Sequence, residues 1–173
     1  MRIGQRRSTA WVFGLLLGVL TCAAIVYRIQ HPPVPGDKDR LAQEDSIREV
    51  VFRYQFDHNE SGVKNDAAVY CLSLSDGRTD PSDQFIMRFK GNQPPVLKVS
   101  KCGWWSDTVP IDVTTGRRGL IFRVTGIRWI SGREVEVTGG YYEGGLSASG
   151  DTYRVVRQHG NWSVSEDKMN WIS

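Results

Sequence analysis

A chain of 173 residues with 40% hydrophobic, 10% aromatic and 24% charged residues has the composition of a globular protein, not of a disordered or fibrous one. Its formal net charge is +3, but Arg2, Arg6, Arg7 and Arg28 stand around one apolar run and no acid precedes Asp37. Taking those four from the 22 Lys and Arg leaves 18 against 19 Asp and Glu, a net of −1 beyond the run, which removes the charge argument for nucleic-acid binding.

The run itself, Ala10 to Tyr27, is eighteen residues without a charge. As a helix rising 1.5 Å per residue it spans about 27 Å, close to the ~30 Å hydrocarbon core of a bilayer. It predicts a transmembrane signal anchor over 10–28 that follows a cytoplasmic segment, 1–9. The three leading arginines place the N-terminus inside, so the chain crosses the inner or plasma membrane once and the remainder lies on the external, periplasmic or extracellular, side. Three processing alternatives stand beside this: cleavage at Thr21-Cys22-Ala23, lipidation of Cys22, and a twin-arginine signal at Arg6-Arg7. His31-Pro-Pro-Val-Pro-Gly36 reads as a stiff extended stretch within a Pro-rich spacer, 29–42, and 43–173 as one exported domain.

Within that domain Ile47, Val50, Val51 and Tyr54 mark an amphipathic helix over 43–59, with Phe52 and Phe56 widening its apolar face. Residues 67–74 read as a buried strand. Asp80-Pro81-Ser82-Asp83 predicts a short helix with Asp80 as its cap, running through Phe85, Ile86 and Phe89 to Gly91. A strand over 96–99 follows. The last third is almost all strand, over 119–131, 133–142, 151–159 and 161–166, with tight turns at Ser131-Gly132 and Gly160-Asn161. The expected fold class is α+β: an N-terminal transmembrane helix, then helices packed on a curved antiparallel sheet.

Asp45-x-Ile47-Arg-Glu-Val-Val-x-Arg-Tyr54 at the front, with Thr152-Tyr-Arg-Val-Val156 and Gly160-Asn-Trp-Ser-Val164 at the back, resembles the nuclear-transport-factor-2-like (cystatin-like) fold, a curved sheet wrapping a long helix into a cone. The phrases FRYQFDHN (52–59), DPSDQFI (80–86), GGYYEGGLSASG (139–150) and KMNWIS (168–173) resemble a group of bacterial exported proteins without an assigned activity. The resemblance implies a fold and no mechanism.

Cys71 and Cys102 are the only cysteines beyond the apolar run. Outside the cytoplasm such a pair tends to oxidise, which favours a disulfide over a buried free thiol beside an incidental Cys102. His31, His58 and His159 are too far apart in sequence to form a metal-binding pair, and no metal or cofactor is implied. His58 beside Asp57 is the histidine nearest a plausible pocket; the competing reading is a cap at the helix end. The glycines around Tyr141, Tyr142 and Glu143 allow a bend that presents these three at a rim for a ligand or partner, with Glu143 as an acid or base. The competing reading is that the glycines bend the sheet and the tyrosines pack on it. Trp104-Trp105 and Trp171-Ile172 offer a partner patch or, more simply, edge packing. With no P-loop, dinucleotide fingerprint, nucleophile elbow or zinc motif, the first expectation is a non-enzymatic membrane-anchored binding or assembly module that takes a protein partner or a small ligand, or pairs as a homodimer. The alternative is a small-molecule enzyme of isomerase, dehydratase or hydrolase type, using Asp57, His58, Tyr141 or Glu143 in the cone.

Overall fold

A computed structural model describes residues 22, 24–30, 32–75, 78–103, 108–145 and 147–173. The long helix, α1 (Asp37–His58), begins at Asp37, earlier than its apolar stripe requires. Asp37 and Asp39 occupy its first turn, where the helix dipole favours acids. Glu44–Arg48 and Glu49–Arg53 pair one turn apart along its outer side. Ile47, Val51, Phe52 and Phe56 form the buried face, and the polar Gln55 is buried with them. At the C-terminus the Asn59 amide donates to the carbonyls of Gln55, at 2.8 Å, and Phe56, at 3.2 Å, so this helix end is tied by a side chain.

The strands are β1 (Val69–Leu74), β2 (Val96–Lys98), β3 (Cys102–Gly103), β4 (Ile111–Asp112), β5 (Gly119–Ser131), β6 (Glu134–Gly144), β7 (Ser147–Gln158) and β8 (Asn161–Ile172). Six of them make one sheet in the order β2-β1-β5-β6-β7-β8, and β3 and β4 pair separately. The expected all-antiparallel sheet is corrected: the sheet is mixed, because β1 runs parallel to both β2 and β5. The cause lies in β1 itself. Its residues are buried on both faces, without the in–out alternation of a half-exposed strand, and such strands belong inside a sheet reached by crossover connections. Only β5 to β8 form the expected antiparallel meander.

Helices are few beside this sheet. The short one, α2 (Asp83–Met87), is capped by Ser82, whose Oγ accepts from the Phe85 N–H at 3.1 Å. Asp80, the expected cap, instead accepts from the backbone and hydroxyl of Ser100 at 2.9 and 2.6 Å. The expected membrane helix over 10–28 finds no counterpart: among the described residues no helix is long and apolar enough to cross a membrane. Most of that span, 10–21 and 23, lies outside the described residues, as do His31 and Trp104-Trp105.

Two cores sit on opposite faces of β1 and β5. Tyr70, Leu72, Leu120 and Phe122 meet Phe52 and Phe56 of α1 and Phe85 and Phe89 around α2. Val69, Cys71, Val99, Cys102 and Ile121 fill the other side. There Cys71 and Cys102 stand at disulfide distance, with Cα atoms 6.4 Å apart.

Candidate functional site

The end of α1 lies beside the far half of the sheet, and between them is a cavity of about 150 Å³. Its walls come from Tyr54, Gln55 and His58 of α1, Tyr141 of β6, Asp151 and Tyr153 of β7, and Asp167 of β8, with Glu60 beyond the helix. The strand register explains the grouping. Ser149, Asp151 and Tyr153 alternate along β7 onto one buried face, and Asp167 lies directly across from Tyr153 on β8.

The sheet ladder opens at this point. Paired residues run from Gly139–Asp151 to Tyr142–Ala148 with no pair between them. Gly140 has φ +151°, and a Cβ there would come within 2.1 Å of the Ser149 carbonyl oxygen, so only glycine fits. Side chains take up the freed backbone groups. Ser149 Oγ accepts from the Tyr141 N–H at 3.4 Å, and Arg123 donates to the Ser149 carbonyl at 2.9 Å. The same serine hydroxyl donates to Asp151 Oδ2 at 2.7 Å, and the Tyr153 hydroxyl donates to that oxygen at 3.3 Å. Gln55 Nε2 donates to the Tyr153 oxygen at 3.2 Å and to the Arg123 carbonyl at 3.1 Å. The Gln55 amide is oriented by the carbonyl, which can only accept. Among the described residues its Oε1 then finds no hydrogen-bond partner, in a residue that is 3% exposed. An acceptor left in that condition costs about 1–3 kcal/mol.

Burial raises the Asp151 carboxyl above the usual carboxylate range; hydrogen bonds from Ser149 and Tyr153 and the charge of Arg123 pull it down without cancelling that effect. Asp167 is raised by burial, then by the charges of Asp151 and Glu60, with His58 opposing. Tyr153 is raised by burial and by Asp151. His58 stacks on Tyr54 with ring centroids 4.0 Å apart, and its Nδ1 donates to the Tyr54 carbonyl at 3.0 Å.

A raised carboxyl binds its proton more tightly in the folded state than in the unfolded chain. Its contribution to stability is therefore present at low pH and is lost as the pH rises through the folded value. Asp151→Asn removes the charge that burial disfavours and keeps an oxygen for Ser149 and Tyr153. The variant melts above the wild type at about pH 7, and the gap closes near about pH 3, below the usual carboxylate pKa. Thermal melts at both values check this, and a variant less stable than wild type at both contradicts it.

The candidates from the sequence divide. Tyr141, 4% exposed, and His58 both line the cavity. Asp57 is exposed on α1 and its carbonyl accepts from Lys64 Nζ, away from the cavity walls. Tyr142 points to the other core, and its hydroxyl donates to the Thr108 carbonyl at 3.2 Å. Glu143 is a brace. Burial pushes its carboxyl up, but donors from Ser147, Ser61 and the Val63 N–H, with the charge of Arg118, outweigh that and hold it below the usual range. It ties the β6–β7 hairpin to the loop after α1, and a carboxylate held that low is a weak proton donor or base at neutral pH. Trp171 and Ile172 are about half exposed at the end of β8, with Trp171 across Gly150 and Arg123 over its ring.

Gln55, Asp151, Tyr153 and Asp167 escaped the sequence reading. Each carried a signal. Gln55 follows Val51 by four and Phe52 by three, so it lies on the buried stripe of α1. Stepping back by twos from Val155 and Tyr153 along β7 lands a carboxylate, Asp151, on the core face. No family model, no curated protein and no solved structure matches the chain, so these comparisons bear neither on the likeness to nuclear-transport-factor-2-like proteins nor on any activity.

Proposed function

We propose that this chain is a binding module that holds a small polar ligand between the end of α1 and the β6–β8 half of the sheet. The unclaimed Gln55 Oε1 carries the reading: a buried acceptor at a cavity wall is satisfied by a ligand that donates to it. The rest of the wall is prepared for such a ligand, since Asp151, Tyr153 and Ser149 are already held by one another. Placement of the domain on the external side of a membrane belongs to the same proposal, supported by the Cys71–Cys102 pair, a kind of bond that persists in oxidising compartments.

A thermal-shift screen of small polar compounds tests the proposal. A true ligand at about 100 times its Kd stabilises the fold by about 2.7 kcal/mol. Gln55→Leu, which removes the acceptor and keeps the volume, abolishes the shift. Stabilisation that persists in this variant moves the ligand elsewhere. A second reading, proton transfer by Asp151 on a bound substrate, is favoured by the raised carboxyl at the cavity wall. It predicts turnover that Asp151→Asn eliminates while binding survives.

A further inference from the structure

Resting on that reading of the cavity, we infer that its ligand is a small organic cation, carrying an ammonium or guanidinium group. Among the described residues the acids that line the cavity are Glu60, Asp151 and Asp167, and the one basic side chain is the imidazole of His58. No lysine or arginine among the described residues lines it. Arg123 reaches the neighbourhood of Asp151 from the opposite face of the sheet, where it is engaged with the Ser149 carbonyl and lies over Trp171, so it offsets part of one carboxylate and none of the others. Asp151, buried, and Asp167, exposed at the rim, repel each other across the cavity, with Arg123 and His58 offsetting them only in part, and a bound cation relieves that repulsion.

An independent feature selects the same chemistry. The buried Gln55 Oε1 needs a donor, and a carboxylate or phosphate ligand has none to give. An ammonium carries three donors and a guanidinium five. Tyr54, Tyr141 and Tyr153 also line the space, and an aromatic lining favours a cation over a neutral group of the same shape. A bare metal ion fits worse. Among the described residues no three His, Cys, Asp or Glu side chains converge closely enough to hold one. The acids are spread around the wall, which suits a cation whose donors point in several directions.

Isothermal titration of the full chain with matched four-carbon probes tests the inference. Butylammonium, butylguanidinium and 1,4-diaminobutane are the cations; 1,4-butanediol and succinate are the neutral and anionic controls. At least one cation binds saturably, and neither control does. Asp151→Asn weakens that cation about thirtyfold or more, as loss of a buried charge partner does, and Asp167→Asn at the rim weakens it about threefold. The second variant keeps the test decisive if the first disturbs the fold. Binding of butanediol or succinate that is lost in Gln55→Leu overturns the cation assignment and leaves the ligand site standing. Binding of no cation at millimolar concentration overturns the assignment as well. If no compound of any charge acts through Gln55 in the thermal-shift screen, the site itself falls.

Discussion

Phe52→Ala lowers the unfolding free energy by about 3–5 kcal/mol, a large share of the roughly 5–15 kcal/mol that a domain commonly has. Phe52 is fully buried on α1 and meets Phe85 and Phe89 edge-on, with centroids 6.0 and 6.4 Å away. These contacts hold α2 and the turn behind it against the long helix. Truncation leaves a void that the surroundings are poorly placed to fill. Phe85 and Phe89 are anchored by the Ser82 cap and by Arg53, whose guanidinium lies 4.9 Å from the Phe89 ring centre and donates to the Arg88 carbonyl at 2.8 Å. Phe52→Leu retains most of the volume and costs about half as much. Urea unfolding of the two variants gives the comparison, with the midpoint falling and the slope unchanged. A loss under about 1 kcal/mol for the alanine variant would mean that the aromatic cluster relaxes, contrary to the packing described.

Removing the Cys71–Cys102 bond costs about 3–4 kcal/mol, since it closes a loop with a sequence separation of 31. Cys71 is on the inner strand β1, and Cys102 begins β3, whose partner β4 is only two residues long. Besides the bond, that small ladder is tied to the sheet by the Gly119 N–H on the Pro110 carbonyl, at 2.7 Å, and by the Tyr142 hydroxyl on the Thr108 carbonyl, and Val69, Leu97, Val99, Ile121 and Tyr142 pack around the bond. The Cys71→Ser, Cys102→Ser double variant therefore loses order first over 99–103 and 108–118, and its melting temperature drops by roughly 10 °C or more. Hydrogen exchange in those segments and a thermal melt measure the two effects. Unchanged protection with an unchanged melting temperature would contradict them.

The periodic parts of the fold were legible in the sequence, and the connections were not. Of the α1 stripe read as Ile47, Val50, Val51 and Tyr54, Ile47 and Val51 are buried together with the widening Phe52 and Phe56 while Val50 and Tyr54 are half-buried, and this stripe and the run of strands after Gly119 follow from local spacing. The parallel pairing of β1 depends on crossovers between segments far apart in the chain, which local spacing does not encode. The Asp80 cap failed for a related reason. A distant partner, Ser100, claimed both oxygens of its carboxylate, and the adjacent Ser82 took the helix end. The cavity was half visible. Tyr141 and His58 stood out by their neighbours, whereas Gln55 and Asp151 are conspicuous only once the buried faces of α1 and β7 are known. Glu143 looked available because it lies among glycines; the donors that occupy it come from the loop after α1 and from across its own hairpin.

The claim that Gln55 is the core of a ligand site is tested most directly by its side-chain amide resonance in a titration of the labelled protein with 1,4-diaminobutane. The amide donates to the Arg123 carbonyl and the Tyr153 hydroxyl, so a donor arriving at Oε1 polarises the whole group. The expected result is that this resonance shifts together with the backbone amides of Tyr141 and Ser149 along one saturating curve. A saturating response elsewhere on the molecule while the Gln55 amide stays still would contradict it.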